Sequence, residues 1–165
     1  MFISMWAQDR NGLIGKNGLL PWRLPNDMRF FREHTMDRIL VMGRKTYEGM
    51  GDLSLPYRHI IVLTTQPNFR TKENAEVMHS IDELLAYSQT ISEDIYVSGG
   101  SRIFQELLPY TGRIWRTLID STFEGDYVYW GYRFFRVHSY RGIRGNNGSG
   151  KFICPSFSKM GKSKK

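Results

Sequence analysis

The 165 residues predict a single α/β domain with a central mixed, mostly parallel sheet flanked by helices, on three observations. Short, nearly continuous apolar runs recur at 2–8, 38–43, 59–64 and 94–98, the pattern of strands covered on both faces. Stretches of helical character follow or separate them, at 25–36, 44–50, 80–87 and 99–108, so strand and helix alternate as parallel crossovers require. The length suits one hydrophobic core and is short for two. A content of 41% hydrophobic and 14% aromatic residues fits a folded chain and argues against disorder. No internal repeat is visible.

In chain order, residues 2–8 read as a buried strand. Residues 9–24 then form a long loop carrying Gly12, Gly15 and Gly18, of a length that compact domains keep for functional or mobile segments. Pro25 suits the first helical position, where its missing N–H costs nothing. Asp27 falls in the first turn, with Phe31 one turn later on the same face and Met28 and Trp22 beside them. Burial raises the pKa of such a carboxyl, and the positive end of the helix lowers it. In an apolar cleft desolvation wins and leaves an acid able to exchange a proton near neutrality. The plain alternative is an ordinary acidic residue at a helix start. Residues 38–43 form the second strand and 44–50 a short helix. Residues 59–64 form the third strand, 76–79 a short fourth, and 80–87 an amphipathic helix. Residues 94–98 form a further strand, a helix runs to about 108, and 113–123 form one more strand.

The net charge of +7 is unevenly placed. Residues 1–126 hold 14 Lys/Arg against 16 Asp/Glu, a net of −2, whereas residues 127–165 hold nine basic residues and no acid. A nucleic-acid reading therefore rests on the tail alone. The apolar start meets Asp9 and Arg10 too early for a signal peptide or membrane span. A lone Cys154 forms no internal disulfide, which suits a cytoplasmic protein. His34, His59, His79 and His138 show no metal-ligand spacing, and no metal is expected.

Two strand-to-helix junctions suit phosphate. Gly43 is followed by Arg44, Lys45 and Thr46, so the backbone comes close while two cations and a hydroxyl stand at the helix start. Ser98 is followed by Gly99, Gly100, Ser101, Arg102 and Ile103, where paired glycines again open a helix. Leu63, Thr64, Thr65 and Gln66 end a strand between them, and with Arg44 could hold a ribose phosphate, favouring NADPH over NADH. The fingerprint G-x-G-x-x-G is absent, and a tight turn before a capped helix explains either junction equally well. Arg58, after Leu55-Pro56-Tyr57, could clamp a carboxylate, although a lone Arg after such a loop is usually a solvated surface charge.

These pieces occur in one order: Trp6-Ala7-Gln8-Asp9, Leu13-Ile14-Gly15, Leu20-Pro21-Trp22-Arg23-Leu24-Pro25-x-Asp27, Met42-Gly43-Arg44-Lys45-Thr46, Ser98-Gly99-Gly100 and Phe123-Glu124-Gly125-Asp126. Together they resemble dihydrofolate reductase, nearest in its Gram-positive bacterial form, over residues 1–126. The resemblance implies NADPH-dependent reduction of 7,8-dihydrofolate to 5,6,7,8-tetrahydrofolate. It implies a place in one-carbon metabolism and binding of antifolates such as trimethoprim. It assigns Asp27 as the single active-site carboxylate, with Trp22 and Thr117 ordering its network. Met5, Trp6, Ala7, Leu20, Met28, Phe31, Met50, Leu55 and Ser98 would line the substrate pocket, and Arg58 would clamp the glutamate tail. Ala7, Ile14, Gly15, Gly43 to Thr46, Leu63 to Gln66 and Gly99 to Ile103 would hold NADPH. Residues 9–24 would form a lid whose closed state Asp126 helps to fix. A monomer with no nucleic-acid or membrane partner is expected. A pterin or pyrimidine reductase on the same scaffold is the nearer alternative, and a nucleic-acid binder using the tail the more distant one.

After Asp126 the resemblance stops. Residues 127–165, with nine cations and six glycines, form an atypical basic segment expected to come from a shifted reading frame. Strand-like aromatics at 132–140 and 151–157 flank a turn signal at 146–150 and predict a hairpin that would finish the sheet.

Overall fold

Strand β1 (Phe2–Gln8) is buried at all seven positions and lies inside the sheet, between β6 and β7. The computed structural model to which it belongs describes residues 1–51, 55–72 and 74–129, and the backbone of 137–142. The remaining elements are β2 (Leu13–Gly15), α1 (Pro25–Thr35), β3 (Ile39–Gly43), α2 (Arg44–Gly49), β4 (His59–Leu63), β5 (Ala75–Met78), α3 (Ile81–Thr90), β6 (Ile95–Val97), α4 (Ser101–Leu107), β7 (Thr111–Ile119), β8 (Tyr127–Val128) and β9 (Val137–Gly142). The main sheet runs β5-β4-β3-β6-β1-β7-β9, and every described pairing in it is parallel. The antiparallel component is a separate pair, β2 with β8.

Helices cover both faces, which is why the central strands are apolar throughout. On one face Leu84 of α3 and Ile103, Phe104 and Leu107 of α4 join Trp6, Val41, Ile61, Val97 and Ile114. On the other, Phe31 of α1 and Tyr47 of α2 pack on Leu40, Met42, Ile60 and Val62. A third cluster of Ala7, Leu13, Trp22 and Ile119, with Leu24 and Phe123 against it, ties the 9–24 segment to the sheet.

Local chemistry accounts for the helix starts. α1 begins with Pro25 at its first position and has no side-chain cap. α3 begins after Ser80, whose hydroxyl accepts from the Glu83 N–H at 3.1 Å while the Glu83 carboxylate accepts from the His79 N–H at 2.7 Å. That helix extends to Thr90, beyond the 80–87 expected, and β7 spans Thr111–Ile119 rather than 113–123.

The 9–24 segment is not a plain loop. It contains β2 and a tight turn in which Lys16 and Leu19 exchange both backbone hydrogen bonds, at 2.8 and 2.9 Å. Asn17 (φ 51°) and Gly18 (φ 78°) sit at its centre, both left-handed, as a type I′ turn requires. The atypical segment differs from expectation as well. Tyr127 and Val128 pair with β2, and Tyr129 is 1% exposed, edge-on to Trp6 and stacked on Phe104. Strand β9 adds to β7 in parallel, so the predicted 132–140 strand is present in part, with a later start. The turn at 146–150, the strand at 151–157 and Cys154 lie outside the described residues.

Candidate active site

Parallel strands leave their C-terminal ends as the natural site for ligands, and the chemically distinctive residues gather there. Register places Ala7 of β1 opposite Thr117 of β7, and Met5 opposite Trp115. Trp115 meets Phe30 and His34 of α1, which identifies the face of β1 and β7 that this helix covers. The Thr117 hydroxyl reaches Asp27 in the first turn of α1 and hydrogen-bonds its carboxylate. Burial raises the Asp27 pKa above the ordinary carboxylate value, and this outweighs the lowering by the Thr117 hydrogen bond. The result is one partly buried acid of raised proton affinity between a helix and the sheet.

Trp22 is 8% exposed and tilted against Phe123, with ring centroids 5.3 Å apart. Its Nε1 is buried and has no protein acceptor among the described residues. Phe31, Met50 and Leu55 pack on the same apolar cluster beneath α1 and α2, while Leu20 and Met28 stand about half exposed. Trp6 does not join them: its ring lies on the opposite face, against Phe104, with Nε1 donating to Gln8 Oε1 at 2.9 Å. Period-two alternation along β1 imposes this separation from Met5 and Ala7.

Arg58 is buried, contrary to the expectation of a solvated surface charge. Its Nε donates to Thr35 Oγ1 at 2.8 Å, Nη1 to the Pro56 carbonyl at 3.0 Å and Nη2 to the Arg32 carbonyl at 3.5 Å. The guanidinium is thus held at the C-terminal end of α1, and burial, then Arg32, pushes its pKa down.

The two glycine junctions meet. The Gly43 N–H donates to the Gly99 carbonyl at 2.7 Å, and Ser98 donates to the Val41 carbonyl through its N–H at 2.9 Å and its hydroxyl at 3.3 Å. The Gly99–Gly100 peptide is cis. A Cβ on Gly43 would approach Ile103 Cγ1 to 3.0 Å, and one on Gly100 would approach Thr46 Oγ1 to 3.3 Å. Bare backbone at both turns, with Thr46 and Ser101 beside it, makes a cradle that a side chain would fill, and it fits a phosphate-bearing cofactor. Arg44 is half-buried and paired with Glu48 at 2.5 Å, whereas Lys45, Thr65, Gln66 and Arg102 are exposed. Thr64 is buried and its hydroxyl accepts from the Gln66 N–H at 3.2 Å, so it shapes the turn after β4. Leu63 is a core residue.

The 9–24 segment is fastened to the β7–β8 connection. The Asp126 carboxylate accepts from the Asn17 N–H, 3.1 Å from each oxygen, and the Asp126 N–H donates to the Gly15 carbonyl at 3.2 Å. Ile14 packs against the core. Sequence reasoning missed a second anchor. Asp9 is fully buried, and its carboxylate accepts from the N–H groups of Asn11 (2.8 Å), Leu13 (2.9 Å) and Phe123 (2.9 Å). An Asp directly after an apolar strand, preceding a Gly-bearing loop, is the available signal for such side-chain-to-backbone bonding. Among the described residues, no group of three or more His, Cys, Asp or Glu could hold a metal, and no helix is long and apolar enough to cross a membrane.

This arrangement agrees with comparison to known proteins. The family model for dihydrofolate reductase matches residues 1–145. A dihydrofolate reductase of Enterococcus faecium is 83% identical over 126 residues, covering 76% of this chain and 75% of its own. One from Lactococcus lactis subsp. lactis (strain IL1403) is 36% identical over 127 residues, covering 76% of each. The solved structure of the Enterococcus faecalis enzyme, complexed with NADP(H) and RAB-propyl, superimposes with a TM-score of 0.75 at 48% identity, covering 78% of this chain and 76% of that one. With the ordered motifs, the Asp27–Thr117 pair and the joined glycine turns all in place, the chain belongs to the dihydrofolate reductase family, in its Gram-positive bacterial form.

Proposed function

We propose that this chain reduces 7,8-dihydrofolate to 5,6,7,8-tetrahydrofolate, with Asp27 at the centre of the chemistry. Family membership supports the activity, and the partly buried Asp27, bonded by Thr117 and raised in pKa, carries the mechanism. NADPH, when bound, supplies the hydride that C6 of the pterin accepts. Asp27 holds the pterin edge and promotes protonation of N5. Thr117 orients that carboxylate, and Trp22, whose buried Nε1 has no protein acceptor among the described residues, is the further donor the reading assigns to this network. Met5, Ala7, Leu20, Met28, Phe31, Met50, Leu55 and Ser98 bound the substrate pocket, to which Trp6 contributes backbone. Arg58 meets the carboxylate of the glutamate tail. Gly43 to Thr46, Gly99 to Ile103 and Leu63 to Gln66, with Ala7, Ile14 and Gly15, hold the cofactor. Arg44 exchanges Glu48 for its phosphate. The 9–24 segment acts as a lid that excludes water, which favours proton transfer to N5.

The protein acts as a cytoplasmic monomer and binds antifolates at the same pocket. A second scaffold-sharing reductase activity is not favoured, because the matched relatives are named dihydrofolate reductases. Residues 127–165 remain proposed as a shifted-frame segment of this one domain. The support is the abrupt change of charge at 126 and relatives that align over 126 to 127 residues. Sequencing across the codon for Asp126 tests this: a neighbouring frame should restore a family-like ending, and none doing so rejects it. Loss of NADPH absorbance on adding dihydrofolate to the full chain tests the activity. Oxidation that depends on dihydrofolate supports it, and none refutes it. Light scattering tests the monomer.

A further inference from the structure

Gly49 ends α2 in a backbone conformation that does not call for glycine, since its φ is not left-handed. In helical backbone, glycine is a poorer residue than alanine. Its neighbours explain the choice. A Cβ on Gly49 would lie 2.3 Å from the Gly18 carbonyl oxygen, 3.0 Å from the carbonyl carbon and 3.4 Å from the Gly18 Cα. All three are backbone atoms, so no side-chain rotation relieves the overlap. From the other side, a Cβ on Gly18 would lie 3.3 Å from the Lys45 carbonyl oxygen and 3.8 Å from the Gly49 Cα. The tip of the 9–24 segment and the end of α2 therefore meet with no side chain between them.

That tip is stiff. The Lys16–Leu19 turn is closed by two backbone hydrogen bonds, and the Asp126 carboxylate holds the Asn17 N–H on its other side. A stiff turn resting on a bare helix end moves as a body when the helix end is filled.

We propose that Gly49 is the seat of the lid, a positioning residue whose missing side chain sets how closely residues 9–24 come down over the site. The proposal rests on reading that segment as a lid. Adding a methyl group at Gly49 lifts the Asn17–Gly18 turn while leaving Asp27, Thr117 and the glycine cradle untouched.

The test uses the full chain with G49A and, as a graded second variant, G49S. Three quantities are measured: the melting temperature, the rate of trypsin cleavage after the exposed Lys16 relative to that after the exposed Arg70, and kcat and KM for dihydrofolate. The expected result is a modestly lower melting temperature for G49A, because the turn must shift off the helix end, and a several-fold rise in the Lys16-to-Arg70 cleavage ratio, larger for G49S. A displacement approaching 1 Å should lower kcat by about 10- to 100-fold, with KM little changed. An unchanged cleavage ratio in both variants overturns the proposal, as does a lower melting temperature with cleavage raised equally at both sites. A raised ratio with undiminished kcat upholds the seat and instead removes the lid from the reaction, so the two readings fail separately.

Discussion

The Thr117 hydroxyl hydrogen-bonds the Asp27 carboxylate, fastening the first turn of α1 to β7. Two influences compete at that carboxylate: burial, which raises its pKa, and the Thr117 bond, which lowers it. Burial is the larger. The pair thus keeps an acid available while restraining how far its proton affinity climbs, and it stands opposite Ala7 in the strand that lines the proposed pocket.

Removing the Thr117 hydroxyl should shift the acid limb of the activity. Thr117→Val abolishes the hydrogen bond that lowers the Asp27 pKa, so the pH profile of kcat moves to higher pH and kcat at neutral pH changes with it. Thr117→Ser restores the bond and should return the profile to its original position. An identical profile in Thr117→Val would separate Thr117 from Asp27.

Asp27 also makes stability depend on pH. Its folded pKa is raised, so the folded state binds the proton more tightly than the unfolded chain does. Its favourable contribution is complete below the ordinary carboxylate value of about 3.9 and is lost as pH rises through the folded pKa. Asp27→Asn, which cannot ionise, should therefore melt at a higher temperature than the parent at neutral pH. The gap should close on acidification toward pH 4. Melting curves across that range check it, and a gap that widens toward acid contradicts it.

Asp9 is a structural anchor with a measurable cost. Asp9→Ala leaves the N–H groups of Asn11, Leu13 and Phe123 without their acceptor. Orphaning buried donors costs about 1–3 kcal/mol each, with partial rehydration, so a loss of about 2–4 kcal/mol is expected in denaturant titration. Asp9→Asn keeps the shape and one acceptor oxygen and should lose less. Equal stability of Asp9→Ala and the parent would contradict the assignment.

Arg58 is expected to separate substrates by their tails. Arg58→Lys loses the planar donor fork, and KM for dihydrofolate should rise on the order of 10- to 100-fold with kcat little affected. A reduced-pterin substrate lacking the glutamate should be insensitive to the change. Steady-state kinetics with both substrates decides; equal effects on the two would place Arg58 away from the tail.

The legible part of the fold was the part with strong periodic signals. Phe2–Gln8, Ile39–Gly43 and His59–Leu63 are buried on both sides, so unbroken apolar runs announced them, and Pro25 announced α1. What stayed hidden depends on partners distant in the chain. β2 is three residues long and pairs with Tyr127 and Val128, just past the last quoted motif at Phe123–Asp126 and within the reach of the family model to residue 145. Tyr129 fills the core beside Trp6 and Phe104, so the start of the basic segment serves the fold. The Asp27 site was legible because Pro25 and Phe31 set its local frame. The contact of Trp22 with Phe123 and the bond of Asp9 to the Phe123 N–H were not, since each joins loops separated by about a hundred residues. Arg58 looked like a surface charge because nothing nearby in sequence foretells its Thr35 partner.

The central claim is that Asp27 governs protonation of the pterin, and the pH dependence of hydride transfer in Asp27→Asn against the parent tests it most directly. The account predicts retained ligand binding, a fall in rate of about 10²- to 10⁴-fold at neutral pH, and partial recovery as the solvent itself protonates the substrate at low pH. A variant that turns over at close to the parent rate at pH 7 would contradict it.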